Sequence, residues 1–375
     1  MNDILGIIFG FDTQNDLKDL VDHRVTGAVP FGARYRLIDF ALSNLVNSGI
    51  RNIGILMKDK YRSLMEHVGS GKDWDLSRKR GGLYMLPPYA YSPKASPLVP
   101  GEYKGKVDAL SGVEDFLSKS REEYIVLCDS DIAANIPIRD VVRFHAEGIS
   151  DVTMVCKPKE SSKEKKMYVR CGENRIVADL RFGDDGAGKC DDVSIGIYVL
   201  KRKTLLSLLY ECAARNLRDF EREVLPLLLQ TGIISAYTFR GYCEKVTDIR
   251  TYFRSNLDLL KPEVRKELFA KDNPVATRVY DEEPVYYGDA ANVAKSLVAD
   301  GAILEGTVEN SVVFRDVYIA KGAKVRNSVL LNGTCVLDNV VLDNVVTDKN
   351  VTIRAGRYLC GYQYYPVVVS KESVV

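Results

Sequence analysis

The sequence predicts an α/β sheet domain followed by a parallel β-helix, and the prediction depends on two different hydrophobic periods. Over about the first 250 residues, short apolar runs alternate with helical patterns, which is typical of a mostly parallel sheet. Nearer the C-terminus, apolar residues return every six residues, a period that fits neither a helix nor a simple alternating strand. At 375 residues, the chain is long enough for two such domains, each with its own core.

The strands of the first domain are short apolar runs that end in turn residues. The first helix is predicted over YRLIDFALSNLVNSG, where apolar residues recur at helical spacing and Gly49 is the expected C-terminal stop. Strands that alternate with helices in this way favour parallel pairing. The predicted strands are, in chain order, ILGIIFG, RNIGILM, EEYIVLCDSDI, DVTMVCK and DVSIGIYVL.

Between the two domains the sequence changes character. Residues 248 to 269 form a charged amphipathic pattern that is broken near Pro262, which is typical of a connector more than of a core helix. The segment KDNPVATRVYDEEP, with Pro274 and Pro284, then indicates an extended linker. We therefore predict an α/β domain over residues 1–247, a helical connector and linker over 248–290, and a β-helix domain over 291–375.

The six-residue period predicts hexapeptide repeats that wind into a parallel β-helix, in which inward residues stack coil upon coil. Asn and Gly between the apolar positions suit the corners of such coils. An antiparallel meander is the alternative, but two rows keep the same period through five turns. One row is Val313, Ile319, Val325, Leu331 and Leu337, and the other is Val317, Ala323, Val329, Cys335 and Val341.

Composition argues against several classes of function. Lys and Arg number 52 against 51 Asp and Glu, so the net charge of +1 does not favour nucleic acid or an anionic membrane as a partner. The apolar runs are far shorter than the ~20 residues of a membrane helix, and the N-terminus has no secretion signal. Eight scattered cysteines without a C-x-x-C pair, and three distant histidines, argue against zinc and for buried thiols in a reducing cytoplasm.

The turn after the first strand lacks the features of a phosphate site. A glycine-rich turn between a strand and a helix often binds phosphate through backbone N–H groups and the helix dipole. Here Gly10 is the turn's one glycine, and the next residues, FDTQND, contain two acids and no cation. Because acidic side chains repel a triphosphate, we expect a turn that does not hold one.

Several collinear motifs extend over essentially the whole chain. They are AVPFGARYRLIDFALSNLVNSGIRNIGIL, HVGSGKDWDL, EYKGKVDAL, SIGIYVL, DFEREVLP and SNLDLL, together with the hexapeptide repeats. In this order they resemble bacterial glucose-1-phosphate adenylyltransferases, also called ADP-glucose pyrophosphorylases. The resemblance implies a Rossmann-like, GT-A-like nucleotidyltransferase domain followed by a left-handed β-helix. It also implies the chemistry of that family, which joins ATP and glucose 1-phosphate into ADP-glucose and pyrophosphate with Mg²⁺ held by carboxylates.

Where the resemblance implies phosphate contacts, this sequence differs from the family. The family's G-G-x-G-x-R-L loop has two arginines, and their places hold Thr13 and Asp16. A lysine-proline pair of the family is replaced by Thr26 and Gly27, and the lysine of an E-K-P sugar-phosphate motif is replaced by Phe182. Each change removes a positive charge, so all of these positions are expected to be degenerate.

The two metal-binding aspartates that the resemblance implies are also replaced. Ser130 stands at the aspartate of a G-D-H turn, although Asp129 and Asp131 flank it and leave open a shifted metal site. Turn or capping chemistry is the simpler explanation of these acids. Lys245 stands at the second aspartate, where its charge would compete with Mg²⁺. We expect no metal or other cofactor in this chain, and Mg²⁺ in a catalytic partner.

Two further sets of residues are candidates for ligand contacts because the resemblance places them in binding regions. Residues of the sugar pocket that keep a family-like context, although packing alone also explains them, are Ser194, Tyr198 and Asp219. In the cleft where the family binds anionic sugar phosphates, Arg36 falls at one cationic place, while two others carry His23 and Pro30. Further cationic candidates for such an activator site are Arg34, Arg315 and Arg354.

The resemblance and its losses together imply a catalytically impaired regulatory subunit of glucose-1-phosphate adenylyltransferase in glycogen biosynthesis. We expect little or no activity from the chain alone, and a catalytic subunit as its partner in a hetero-tetramer. The resemblance also leaves open a homo-oligomer of the chain alone and a sugar-phosphate effector. Two alternatives stay open: an active nucleotidyltransferase with a rearranged metal site, and a stand-alone sugar-phosphate sensor.

Overall fold

The computed structural model describes residues 3–11, 16–79, 81–88, 103–159, 166–183 and 192–375. Their contacts divide them into two compact units. The sheet unit contains the described residues within 1–13, 41–61 and 68–243, and the solenoid unit contains those within 14–40, 62–67 and 244–375. Segments that are distant in sequence therefore belong to the same unit.

The described part of the chain before residue 250 contains the strands expected of an α/β domain and some shorter ones. In chain order they are β1 (Ile4–Phe9), β2 (Pro30–Phe31), β3 (Tyr35–Arg36), β4 (Asn52–Leu56), β5 (Gly82–Leu86), β6 (Tyr124–Asp129), β7 (Ile132–Ala134), β8 (Val152–Pro158), β9 (Lys166–Cys171), β10 (Val177–Gly183), β11 (Asp192–Lys201), β12 (Ile234–Thr238) and β13 (Cys243–Lys245).

The helices of the described residues are mostly short. They are α1 (Leu37–Asn47), α2 (Arg62–Val68), α3 (Lys106–Ser111), α4 (Glu114–Lys119), α5 (Ile138–Glu147), α6 (Arg202–Arg215), α7 (Leu225–Thr231), α8 (Ile249–Asp258) and α9 (Pro262–Leu268). Among the residues that the structure describes, none of the helices has the length and apolar character to cross a membrane.

Nine strands of the sheet unit form one mixed sheet with β1 near its centre. β1 pairs in parallel with β4 and β6, and β4 pairs in parallel with β5. β11 runs antiparallel to β6, β8 and β9. All six residues of β1 are buried, as expected of a central parallel strand. The α/β class, the five predicted strands and the predicted first helix are confirmed.

The charged stretch that the sequence predicted as a connector contains a well-packed helix. Asp248 begins α8 with a capping box, in which the Thr251 backbone N–H donates to its carboxylate at 2.7 Å. Tyr252 is fully buried, and its hydroxyl donates to the Pro30 carbonyl at 2.7 Å. The predicted break is confirmed, since α9 begins at Pro262. The expectation of a connector more than a core helix is wrong for α8, because its apolar face packs within the solenoid unit.

The C-terminal part of the chain winds into a left-handed parallel β-helix, as predicted. Its strands form three sheets of five, and every paired strand joins the equivalent strand of the next coil in parallel, which excludes the meander. The strands are β14 (Tyr286–Tyr287), β15 (Asn292–Ala294), β16 (Leu297–Val298), β17 (Ile303–Leu304), β18 (Thr307–Glu309), β19 (Val312–Val313), β20 (Tyr318–Ile319), β21 (Lys324–Arg326), β22 (Val329–Leu330), β23 (Cys335–Val336), β24 (Val341–Asp343), β25 (Val345–Thr347), β26 (Thr352–Ile353), β27 (Tyr358–Cys360) and β28 (Val367–Val369).

The predicted register of the inward row holds for three positions and then slips. Val313, Ile319 and Val325 belong to the solenoid core, as predicted. Val313 pairs with Leu330 of the next coil, and Leu330 belongs to the same core. Leu331 is buried but lies one residue beyond the stack, so its assignment to the inward row is wrong.

The length of the coil explains the slip. Val325, Leu342 and Leu359 stack on one another at intervals of 17 residues, one fewer than three hexapeptides. Each later inward position therefore moves back by one residue, and Leu337 is only half-buried. The second predicted row slips for the same reason: Val317 and Ala323 belong to the core, but its later members precede the core residues Leu330, Val336 and Leu342 by one position. These later members are Val329, Cys335 and Val341.

The cysteines of the described residues are free thiols. Cys128, Cys156, Cys212 and Cys243 are buried, as predicted for most of them, and Cys360 is exposed. Cys190 lies outside the described residues. The buried thiols contribute to packing, and burial raises the pKa of Cys212 to about 11, so this thiol is protonated near neutral pH.

Candidate functional site

The candidate site of the sheet unit lies at the carboxyl end of β1 and β6. The two strands run in parallel, and Phe9, the last residue of β1, stands opposite Asp129, the last residue of β6. Asp129 and the following Ser130 are both buried. The carboxyl edge of a parallel sheet is where ligands bind in this class of fold, so these residues are at the expected place.

Lys106, the first residue of α3, supplies a positive charge at this edge. Its Nζ atom lies 2.6 Å from Oδ1 of Asp129 and also forms an ion pair with Oε1 of Glu221. The ring of Phe9 lies 5.0 Å from the same nitrogen, within reach of a cation–π contact. The ammonium is thus enclosed by two carboxylates and an aromatic face.

Gly105 allows the start of α3 to come this close to Glu221. A Cβ atom at Gly105 would lie 2.2 Å from the carbonyl oxygen of Arg218, a backbone atom that cannot easily move. The Val107 backbone N–H donates to that same carbonyl at 3.2 Å. The backbone of α3 is therefore held against the segment that carries Glu221.

Lys106 is charged in this environment. Burial lowers the pKa of the ammonium, but Asp129 and Glu221 raise it by more, so the net effect is a raised pKa. With one ammonium and two carboxylates, the centre has a net charge of −1. We call these three side chains the Lys106 centre.

Two of the predicted sugar-pocket residues lie beside the Lys106 centre. The hydroxyl of Tyr198 donates to Oε1 of Glu221 at 3.4 Å, and Oγ of Ser194 lies 3.4 Å from the same hydroxyl. Asp219 has a different role, because its carboxylate accepts a hydrogen bond from the Arg222 backbone N–H at 2.8 Å. It caps the helical turn Phe220–Val224 and so positions Glu221.

Phe11 directly follows Gly10 in the turn after β1, the turn that corresponds to the family's glycine-rich loop. Its side chain is buried, with its ring centroid 5.9 Å from that of Phe9 and 6.1 Å from that of Tyr103. A ring packed here takes space that a glycine would leave for a phosphate. Thr13, the other loop position in question, lies outside the described residues.

The remaining degenerate positions are dispersed. Phe182 lies on β10, with its ring 6.0 Å from the Arg222 guanidinium. Asp16, Thr26 and Lys245 belong to the solenoid unit, where Asp16 is exposed, Thr26 is buried and Lys245 is half-buried. The structure thus brings Asp129, Ser130, Ser194 and Tyr198 into one region of the sheet unit. The other three positions, Asp16, Thr26 and Lys245, belong to the solenoid unit.

The residues at the Lys106 centre do not fit Mg²⁺. Ser130 offers a hydroxyl where a carboxylate is needed, Asp131 is half-buried beside it, and the Asp129 carboxylate is already paired with an ammonium. Glu244, next to Lys245 on β13, is buried and pairs with Arg254 at 2.9 Å. In the described ranges, no group of three or more His, Cys, Asp or Glu side chains is arranged to hold a metal ion.

A second charge centre, the Lys349 cluster, belongs to the solenoid unit and consists of Arg24, Arg36, Arg278, Asp348 and Lys349. Arg24 and Asp348 are buried and form a bidentate ion pair at 2.8 and 3.0 Å. Arg36 donates to the carbonyl and hydroxyl of Ser63 at 2.7 and 2.9 Å. Four cations of this cluster therefore lie near the Asp348 carboxylate, and the carboxylates of Asp39 and Glu66 also interact with Arg36.

The pKa values of two members of the Lys349 cluster are lowered, by burial first and by neighbouring positive charge second. Burial and the neighbouring Arg36 and Arg24 lower the pKa of Lys349 to about 7, although Asp348 opposes the shift. Burial also lowers the pKa of Arg36, with Arg24 and Arg278 adding to the effect. An anion bound here would stabilise the charged forms of Lys349 and Arg36 and so raise both pKa values.

The other predicted activator residues have different surroundings. Arg315 is buried, with its guanidinium 4.7 Å from the ring of Tyr280, and it donates to the Arg34 carbonyl at 3.3 Å. Arg278 lies over the same tyrosine ring at 5.1 Å, which joins this pair to the Lys349 cluster. Arg34 and Arg354 are exposed.

Sequence reasoning missed Lys106, Glu221, Arg24 and Lys349. Lys106 and Glu221 are 115 residues apart, and Arg24 and Asp348 are 324 apart, so their pairing has no local signal. Lys106 and Glu221 do lie in two of the recognised motifs, EYKGKVDAL and DFEREVLP.

Two family descriptions match the two halves of the chain. The family described as Nucleotidyl transferase matches residues 15–261, and the one described as GlmU-like, C-terminal hexapeptide matches residues 275–363. The class of protein is therefore a nucleotidyltransferase-type α/β domain joined to a hexapeptide β-helix.

Individual relatives narrow this class. The chain is 33% identical to the glycogen biosynthesis protein GlgD of Bacillus subtilis, over 87% of this chain and 83% of the relative. It is 36% identical to GlgD of Geobacillus stearothermophilus, over 86% and 83%. It is 32% identical to the glucose-1-phosphate adenylyltransferase of Clostridium perfringens strain SM101, over 100% and 96%. The chain belongs to the glucose-1-phosphate adenylyltransferase family of nucleotidyl transferases, as its motifs predicted.

Proposed function

We propose that this chain is a non-catalytic subunit in glycogen biosynthesis that modulates a catalytic glucose-1-phosphate adenylyltransferase in the cytoplasm. Relatives named as a glycogen biosynthesis protein and as the adenylyltransferase support the pathway. The observation that carries the loss of catalysis is the Lys106 centre, where the Asp129 carboxylate is paired with an ammonium. The ammonium already balances the charge of this carboxylate and would compete with Mg²⁺ for it.

Nucleotidyl transfer depends on positive charge around the triphosphate and on positioned metal ions. Here the carboxyl edge of the sheet has a net charge of −1 at the Lys106 centre and a buried aromatic ring at Phe11. Removal of one well-placed stabilising group typically lowers the rate by ~10²–10³. Several such losses together lead us to expect a rate near background.

The test is a comparison of three samples: the purified chain, a catalytic relative from the same organism, and their mixture. We expect background ADP-glucose synthesis from the chain alone, co-elution in the mixture, and a changed rate or effector response of the catalytic relative. The heat-denatured chain is the control for nonspecific effects.

Each alternative function has its own outcome in this assay. Mg²⁺-dependent turnover by the chain alone, at the rate of an ordinary bacterial enzyme, would favour an active enzyme that uses Asp129 or Asp131. An inactive chain that neither co-elutes with the relative nor changes its rate would favour a stand-alone sensor. Either result contradicts the proposed subunit role.

A second proposed activity is the binding of an anionic sugar phosphate at the Lys349 cluster. It is supported by the four cations of this cluster and by the lowered pKa of Lys349, with burial as its main cause. Arginine side chains suit bidentate contacts with phosphate. Arg36, the activator candidate of the sequence analysis, is a member of this cluster.

Calorimetry with glucose 6-phosphate, a hexose bisphosphate and inorganic phosphate tests this binding. Lys349→Met should weaken binding at least about tenfold, since a hydrogen bond to a charged group contributes about 1.5–3 kcal/mol. Lys324→Met, which removes an exposed lysine on β21 of the same solenoid, is the matched control and should bind like the wild type. Equal affinities of the two variants would contradict the assignment.

A further inference from the structure

The Lys106 centre resembles a cation site whose cation is part of the chain. The Lys106 side chain is almost completely buried, and its nitrogen contacts the carboxylates of Asp129 and Glu221. The three residues come from three separate segments: the first turn of α3, the end of β6 and the turn Phe220–Val224. Their meeting is therefore a product of the fold and not of local sequence.

The charges define what else could stand between the two carboxylates. Both carboxylates approach one nitrogen, so without it two negative groups, one buried and one half-buried, would face each other, which is unfavourable. The ammonium leaves a net charge of −1, whereas a divalent cation would neutralise the pair completely. Carboxylate oxygens are the ligands that Mg²⁺ and Mn²⁺ prefer, with water completing the coordination.

We propose that Lys106 is a tethered cation that takes the place of a divalent metal ion between Asp129 and Glu221, and that removal of its ammonium opens a metal site there. The chain thus keeps a carboxylate pair at the carboxyl edge of its sheet and satisfies the pair internally. The cation cannot dissociate, so chelators have no effect on it.

The backbone around Lys106 holds the ammonium in place. Gly105 lets the start of α3 lie against the Arg218 carbonyl, and the Val107 N–H donates to that oxygen at 3.2 Å. The hydroxyl of Tyr198 donates a hydrogen bond to Oε1 of Glu221, the oxygen that also contacts Lys106. A free metal ion would have to displace an ammonium that is always present at the site, and for this reason the wild type should bind none.

The test compares Mn²⁺ binding by the wild type and by Lys106→Ala. Mn²⁺ is titrated by calorimetry and by its paramagnetic resonance signal, and thermal unfolding is followed with Mn²⁺ and with EDTA. We expect at least tenfold tighter Mn²⁺ binding by Lys106→Ala than by the wild type. Mn²⁺ should raise the unfolding temperature of the variant and leave that of the wild type unchanged.

Two variants serve as controls. Lys106→Ala combined with Asp129→Asn removes one carboxylate and should lose the Mn²⁺ response. Lys119→Ala removes a lysine that pairs with Asp115 at 3.7 Å on the exposed surface of α4, and it should behave like the wild type. If Lys106→Ala folds poorly, Lys106→Ser is tested in its place, and the refolding yield of both is compared with and without Mn²⁺.

Three results would overturn the inference: Mn²⁺ binding by the wild type as tight as by the variant, no gain of binding on removal of the lysine, or an unchanged response after loss of Asp129. Failure of both lysine variants to fold even with Mn²⁺ would also overturn it, since the metal would then not replace the ammonium. None of these results depends on the regulatory role, which the ADP-glucose assay tests separately.

Discussion

The charge centres of the sheet unit and the solenoid unit differ in how their lysines are compensated. In the Lys106 centre, two carboxylates surround one ammonium and raise the pKa of Lys106 despite its burial. In the Lys349 cluster, burial and two arginines lower the pKa of Lys349 to about 7, and Asp348 is already paired with Arg24. Lys106 therefore has an excess of negative charge around it, whereas Lys349 has an excess of positive charge around it.

This difference indicates which centre can still take a ligand. A centre that satisfies its own cation gains nothing from an anion and, with a net negative charge, repels one. A centre with uncompensated positive charge is destabilised until an anion arrives, as expected of a phosphate-binding site. Replacing each lysine by methionine removes the charge and keeps most of the volume, so the same change tests both centres.

Lys106→Met should destabilise the chain by about 3–5 kcal/mol, because it leaves the buried Asp129 carboxylate and the half-buried Glu221 carboxylate without their cation. The free energy of unfolding in urea, measured in EDTA, checks this value. Lys119→Met, at an exposed ion pair, should change it by less than ~0.5 kcal/mol. A similar small loss at both lysines would mean that the Lys106 centre is not a compensated ion pair.

Lys349→Met should change the free energy of unfolding in the opposite direction to Lys106→Met. We expect it to raise this free energy at pH 6 by about 1.4 kcal/mol or more. The pKa of Lys349 is lowered by burial and by its arginine neighbours, and each unit of lowering corresponds to about 1.4 kcal/mol of cost to the charged form. Urea unfolding of the wild type and the variant in phosphate-free buffer is the measurement. Destabilisation would show that other groups of the folded chain compensate the charge of Lys349.

The two centres should also differ in pH dependence. Between pH 7 and pH 10, unfolded Lys349 binds a proton that the folded chain does not, because its folded pKa is lowered to about 7, so its contribution makes stability rise with pH by up to about 1.4 kcal/mol per unit. This rise should disappear in Lys349→Met. It should persist in Lys106→Met, because Lys106 does not cause it. Up to pH 9, Lys106 of the wild type is protonated in the folded chain, where its pKa is raised, and in the unfolded chain, where the pKa of a lysine is about 10.4. Urea unfolding at pH 7, 8 and 9 separates the two variants, and a rise that survives in Lys349→Met would assign it to another group.

The smallest expected effect is that of Ser130→Asp, which restores an aspartate at the first metal position of the family. We expect no measurable gain in ADP-glucose synthesis, since Lys106 still holds the neighbouring Asp129 and Phe11 still fills the loop. Robust Mg²⁺-dependent synthesis by this single variant would show that the Lys106 centre does not block the chemistry.

The hydrophobic pattern was sufficient to predict the architecture because it is a local property of the chain. An unbroken apolar run identified β1, and a six-residue period identified the β-helix. The exact register was beyond reach, because the coil of 17 residues is set by how tightly each corner turns. Val313 and Ile319 were assigned to the inward row correctly, and Leu331 and Leu337 were not.

The sequence by itself determined the two domain types and the family, and its resemblance predicts that the family's metal and phosphate residues are replaced at Ser130, Lys245 and Phe182. Only the tertiary structure decided what replaced them. Whether a lysine is compensated depends on which carboxylates the fold brings within about 3 Å of its nitrogen, and Coulomb energies in a buried site change steeply over that range. Lys106 and Lys349 are alike in the sequence, and the charges packed around them set the pKa of one above that of a free lysine and the pKa of the other below it.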